Sequence, residues 1–164
     1  MRSHNRAMAR TGKLAACALL GLLAACDHAD PGGVRLRTDD PAVLAQGEAV
    51  YRARCAGCHG ANLEGQPDWR QRDAGGRLPA PPHDASGHTW HHPDQVLFAL
   101  VKDGVAKAAH LEAYDTAMPA FGGTLGDGEI VAVLSWIKSR WPDAIRRQQE
   151  EVDRQARRQA QAQH

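Results

Sequence analysis

Apolar residues recur with helical spacing in three places along the chain. Val43, Leu44, Gly47, Val50 and Tyr51 fall at i, i+1, i+4, i+7 and i+8, which is one face of a helix. Asp40 is placed to cap that helix, and Pro41 suits its first position. A second helix is predicted from His92-Pro93-Asp94, with Val96, Leu97, Leu100 and Val101 on its apolar side and Gly104 as its stop. A third begins near Gly126-Asp127, carries the stripe Ile130, Val133, Leu134 and Ile137, and ends at Trp141-Pro142. Between the first two, Gly60 to Trp90 is rich in Gly, Pro, Asp and His and has no sustained period. Loops of that length usually carry function or pack on something other than protein. A further loop leads to Met118-Pro119-Ala120-Phe121-Gly122-Gly123. The pattern predicts an all-α fold of three main helices joined by long loops.

The two ends of the chain differ from this middle. Met1 to Lys13 is basic, and Leu14 to Ala25 is an apolar run of 12 residues. That run is shorter than the roughly 18–20 residues of a membrane-spanning helix and has the layout of a secretory signal. It ends in Leu23-Ala24-Ala25-Cys26, which resembles the lipobox of bacterial lipoproteins, in which the Cys receives lipid. The resemblance implies a signal peptide over 1–25 and lipidation at Cys26. An ordinary signal peptide cleaved nearby without lipid is the competing reading. Cleavage at the other Leu-Ala-Ala-Cys, ending at Cys17, would leave almost no apolar run. Asp27 resembles the inner-membrane retention signal of some lipoproteins. Residues 26–38 read as a tether, because they contain Pro31-Gly32-Gly33 and little apolar character. Twelve flexible residues reach about 20 Å. The folded domain is expected over 39–142. Beyond it, 143–164 offers only Ile145 and Val152 as large apolar residues among many charges and Gln, so it reads as a frayed helix or a disordered tail that buries little. A helical partner-binding tail is the alternative.

The 164 residues suffice for one domain, and 43% hydrophobic with 24% charged is a globular balance. Four Trp, two Tyr and two Phe leave the core short of bulky fillers, a volume that a large cofactor can supply. Discounting Arg2, Arg6, Arg10 and Lys13 of the leader leaves 16 basic against 19 acidic residues. A net of −3 argues against a nucleic-acid partner. With Cys17 discarded and Cys26 lipidated, only Cys55 and Cys58 remain, which is no disulfide scaffold.

Cys55-Ala56-Gly57-Cys58-His59 is a C-x-x-C-H sequence, the attachment motif of c-type haem. Two thiols one helical turn apart can add to two vinyl groups on one side of a haem, and the next residue places an imidazole under the iron. A redox Cys pair of the thioredoxin kind wants a βαβ pattern, and a zinc site wants a second pair at finger-like spacing; neither is present. The expected cofactor is one covalent haem c per chain, with His59 as axial ligand. Met118 is the one methionine left after signal removal, and it sits on a loop beside Pro119. Its soft thioether favours reduced iron, so His59/Met118 ligation suits an electron carrier.

Over about residues 40–141 the chain resembles the class I monohaem cytochromes c. Gly47 and Tyr51 stand eight and four residues before Cys55, as in that family's N-terminal helix. Val133 and Trp136 stand where its C-terminal helix crosses. Met118-Pro119 matches its axial-methionine loop. Leu125-Gly126-Asp127 matches its usual Leu-Ser-Asp, with Gly126 replacing the capping Ser. The resemblance implies helices and loops wrapped around the haem. It also implies that a carbonyl in Ala80-Pro81-Pro82 accepts the Nδ1–H of His59, with Pro81 favoured and Pro79 and Pro82 as rivals. Trp90 is expected either to donate to a haem propionate or to pack beneath the loop.

Two features depart from the family. His83, His88, His91 and His92 crowd one stretch, with His110 later, and imidazoles at such spacing suit Cu or Zn. The plainer reading makes them helix-capping, solvent-facing or propionate-neighbouring groups. The mature chain also has only Lys102, Lys107 and Lys138, so Arg70, Arg72 and Arg77 stand in for a lysine docking ring, or are simply solvated. The expected function is one-electron transfer, not enzymatic catalysis. The expected location is the periplasmic face of the bacterial cytoplasmic membrane, held there by the lipid. The partners are an unidentified donor and acceptor, the family suggesting a terminal oxidase. The alternatives are a haem-based sensor or enzyme subunit, which needs an open iron position, and a copper-handling protein acting through His83–His92.

Overall fold

The computed structural model describes residues 33–111 and 113–163. The expected signal peptide over 1–25, Cys26 and residues 27–32 of the expected tether lie outside the described residues. The described residues form helices and connecting loops, with no strand among them. The helices are α1 (Pro41–Arg54), α2 (Ala56–His59), α3 (Asp94–Asp103), α4 (Val105–Ala108), α5 (Asp127–Ser139) and α6 (Asp143–Gln161), with a 3₁₀ turn at Thr89–His91. The all-α class and the three main helices agree with the hydrophobic spacing. The single turn α4 had no periodic signal, because four residues are too few to show one.

Local chemistry sets the helix ends. Asp40 Oδ1 accepts from the backbone N–H groups of Ala42 and Val43, and Pro41 occupies the first turn of α1, where its missing N–H costs nothing. Gly104, at φ 85°, stops α3 in a conformation that other residues avoid. At the start of α5, Gly126 has no side chain to cap with. The reciprocal bond survives: Glu129 Oε2 accepts from the Gly126 N–H at 2.9 Å.

α1 packs on α5 through a glycine. A Cβ on Gly47 would lie 2.6 Å from the Ala132 carbonyl carbon and 2.8 Å from Trp136 Cβ, so only hydrogen fits there. The close approach brings Tyr51 and Trp136 to a ring separation of 4.7 Å. The core continues through Leu63, Leu97, Phe98, Leu125, Ile130 and Leu134.

Both ends of the described chain are docked on this core, and one buried polar cluster does it. Asp94 is 3% exposed and opens α3. Its Oδ2 accepts from the Leu36 N–H at 3.0 Å, and its Oδ1 accepts from Gln149 Nε2 of α6 at 2.8 Å. Lys138 Nζ of α5, also buried, stands 3.6 Å from Oδ1. The Asp94 N–H is itself capped by Asp153 Oδ1 at 2.9 Å, and Arg157 binds both Asp153 and the Val34 carbonyl. Residues 33–37, which composition assigns to a tether, are therefore strapped across α3, α5 and α6. Val34 and Leu36 tuck against the core, and the Arg37 N–H donates to Ser135 Oγ at 2.9 Å. Residues 143–161, expected to bury little, form a 19-residue helix anchored by Gln149 at 0% exposure. Hydropathy missed this anchor because it is polar: Gln149 Nε2 donates to the His92 carbonyl and to Asp94 Oδ1, while its Oε1 is buried without a partner.

Two glycines test the helix packing. Gly47→Ala should destabilise the folded protein by about 1–3 kcal/mol of overpacking, against roughly 0.5–1 kcal/mol gained in helix propensity. Gly128→Ala in α5, whose Cβ meets nothing within 4 Å, should stabilise it. Denaturant midpoints report both, and equal effects would mean that α1 and α5 do not touch at Gly47. The strap is checked by trypsin. Arg157→Ala should speed cleavage after Arg35 and Arg37 several-fold, and exposed Arg147→Ala should leave those two sites unchanged.

Candidate functional site

The site is built at the break between α1 and α2. Cys55 ends α1 and leads α2, so Cys55 and Cys58 stand one helical turn apart, with His59 the last residue of that turn. Gly60 then turns away at φ 81°, and the Tyr51 hydroxyl donates to its carbonyl at 2.8 Å, tying the end of α2 back to α1. Both cysteines are free thiols. Burial, and then the neighbouring Cys58, push the Cys55 thiol up to about 11. A thiol–disulfide centre has the opposite shift, towards thiolate.

His59 is buried, and its Nδ1 lies 2.8 Å from the Pro81 carbonyl oxygen. A carbonyl only accepts, so Nδ1 carries the proton and Nε2 keeps its lone pair. Burial lowers the His59 pKa, and the bond to Pro81 opposes that shift in part. Of the three prolines considered, Pro81 is the one so bonded. Two glycines hold it there. A Cβ on Gly65 would lie 2.7 Å from the Pro81 carbonyl carbon, and one on Gly87 would lie 2.8 Å from that of Pro82. The Gln66 N–H donates to the Ala80 carbonyl at 2.9 Å and sets the register of the two loop strands.

Cys55, Cys58 and His59 open onto a cavity of about 580 Å³, which Met118 also lines. Its walls include Leu97, Val101, Phe121, Leu125 and Leu134. That volume lies within the roughly 300–1,000 Å³ of cofactor sites. A large, flat, mainly apolar group bearing a metal fits this site. The walls are apolar, a soft thioether and a neutral imidazole with a free Nε2 face the same space, and two thiols stand at its edge. Met118 is held by its loop, its N–H donating to Thr116 Oγ1 at 3.1 Å. The loop is pinned to the end of α3 by the Phe121 and Gly122 N–H groups, each 2.9 Å from its acceptor.

The other candidate residues separate. Trp90 does not line the cavity; its indole donates to the Ala85 carbonyl at 3.3 Å and its ring stacks on His91 at 3.7 Å. Its ring is partly buried against the hydrophobic core. Trp69 lines the cavity instead, with Arg70 over its ring and His88 5.7 Å away. The sequence signal for Trp69 was only an isolated aromatic in a polar loop. Arg54 and Arg77 also line the cavity. His83, His88 and His92 do too, and burial lowers the pKa of each, most strongly at His83. The His88 and His92 rings meet edge-on at 5.7 Å. Among the described residues there is no group of three or more His, Cys, Asp or Glu placed to hold a metal ion.

No helix among the described residues is long and apolar enough to cross a membrane. Neither a curated protein nor a solved structure matches the chain. The family described as "Cytochrome C oxidase, cbb3-type, subunit III" matches residues 42–137, from the first turn of α1 to the last turn of α5. That span is more than half of the chain and takes in both thiols, His59, Pro81 and Met118, and the chain accordingly belongs to this family of haem-binding c-type cytochromes.

Proposed function

We propose that the protein is a one-electron carrier of the class I kind. It would hold one covalent haem c between His59 and Met118 and be anchored by lipid at Cys26 to the periplasmic face of the cytoplasmic membrane. The observation that carries this reading is the shared cavity: His59 and Met118 line the same apolar space, with Cys55 and Cys58 at its edge. The bound haem supplies the one-electron iron couple. The chain supplies everything else. Cys55 and Cys58 would hold the haem through thioether links. His59 offers Nε2 because Pro81 holds Nδ1–H. Met118 offers its thioether from a loop fastened to α3. The walls of α3 and α5 exclude water, which favours the less charged, reduced iron. Two fixed protein ligands leave no position open for substrate, which supports a carrier over a sensor or enzyme. The family description names an oxidase, and a terminal oxidase is accordingly the proposed acceptor.

The test is spectroscopic. The purified protein should keep its haem through acid–organic extraction, and the oxidised form should show the weak far-red band of a thioether on low-spin iron. Met118→Ala should lose that band, lower the reduction potential and let the reduced protein bind carbon monoxide. Tight carbon monoxide binding by the wild type would move the assignment to a sensor or enzyme. The anchor is tested separately. Wild-type protein should fractionate with membranes and incorporate labelled fatty acid, and Cys26→Ala should do neither. A labelled Cys26→Ala protein would refute lipidation at that residue.

A further inference from the structure

The His83 ring lies on the face of the His59 ring. The centroids are 4.0 Å apart and the planes 23° from parallel, closer than the roughly 4.5–7 Å usual for aromatic pairs. We propose that His83 is a positioning residue that fixes the rotational angle of the axial imidazole by stacking on it. The proposal rests on the reading of His59 as an axial ligand.

His59 has one soft torsion, the sp³–sp² rotation about Cβ–Cγ, whose well is broad. The bond from Nδ1 to Pro81 restrains one point on the ring edge, and a single hydrogen bond tolerates tens of degrees of misalignment. A second ring against the face removes the remaining rocking motion. That function requires His83 itself to be immobile, and four separate contacts hold it. Its N–H donates to the Leu63 carbonyl at 2.8 Å, and its carbonyl accepts from Trp141 Nε1 at 2.7 Å. Its Nδ1 is 2.8 Å from Thr89 Oγ1, and the Tyr51 ring meets it edge-on at 6.4 Å. A residue that merely filled space would be cheaper as leucine, because burying a polar ring costs free energy unless its nitrogen is satisfied. Here Thr89 satisfies the ring in the orientation that presents a flat face to His59.

The plane of an axial imidazole decides how two iron d orbitals split, and the low-spin ferric EPR spectrum reads that splitting. The experiment compares haem-loaded wild type with His83→Ala, His83→Phe and Thr89→Val. His83→Ala should displace and broaden the largest g value. His83→Phe keeps a flat ring and should return it towards wild type. Thr89→Val releases the His83 ring and should broaden the signal without displacing it as far. Wild-type spectra in both His83→Ala and Thr89→Val would overturn the proposal, as would a His83→Phe spectrum displaced as far as that of His83→Ala. If His83→Ala fails to fold, His83→Phe and Thr89→Val decide the matter by the same criteria. A low-spin wild type with unmoved variants defeats this inference alone. A wild type without low-spin haem defeats the reading of His59 and Met118 as well.

Discussion

A cavity of about 580 Å³ set into a domain of this size is the constraint from which the rest of the architecture follows. α1 and α5 pack directly on one another, and α2, α3, α4 and α5 each lend residues to the cavity. The long stretches between α2 and α3 and between α4 and α5 run as loops because their packing surface is the cofactor space, not another regular element. The scarcity of aromatic residues belongs to the same arrangement: the largest apolar body in the fold is not encoded in the chain. Where the helices touch directly, as α1 and α5 do at Gly47, the contact is as tight as a glycine permits.

Around the cavity, polar groups take over the task of fixing register. The Pro81 carbonyl orients His59, glycines clamp the proline segment, and the Met118 loop is fastened by backbone bonds to α3. On the far side of α3, Asp94 gathers Leu36, Lys138, Gln149 and Arg157 into one buried cluster. A buried ion pair of this kind adds little net stability, since desolvation offsets most of the attraction. Its contribution is geometric: it holds the start of the described chain and the last helix to the element that forms one wall of the cavity. A domain whose core depends on a cofactor gains from such a clasp, since apolar burial alone does not specify where the two ends lie.

The chemistry of the site was legible from sequence because it is local. Cys55, Cys58 and His59 lie within one turn, and one turn of helix is enough to bring two thiols and an imidazole to one wall. The three main helices were legible because an apolar stripe at helical spacing needs a partner surface, whatever that surface is. Met118 stood out because the other methionines, Met1 and Met8, lie in the basic first segment. Other features turned on contacts between residues far apart in the chain. Which of three adjacent prolines faces His59 depends on how Gly65 and Gly87 press the loop. Trp69 lines the cavity and Trp90 does not, although both are lone aromatics in polar stretches.

The two ends of the described chain and the role of His83 belong to tertiary structure alone. Composition made 26–38 a tether and 143–164 a frayed helix or disordered tail because hydropathy counts apolar side chains, whereas residues 34–37 and the helix over 143–161 are held through buried polar ones. His83 looked like one member of a histidine cluster suited to metal. Folding set His88 against His92 and laid the His83 ring on His59. The sequence by itself determined the cofactor chemistry and the helical frame, since these rest on spacings within a turn or two of chain. The tertiary structure decided the cavity lining, the clasp and the stacked imidazole, since each rests on hydrogen bonds and ring contacts across loops that have no period to read.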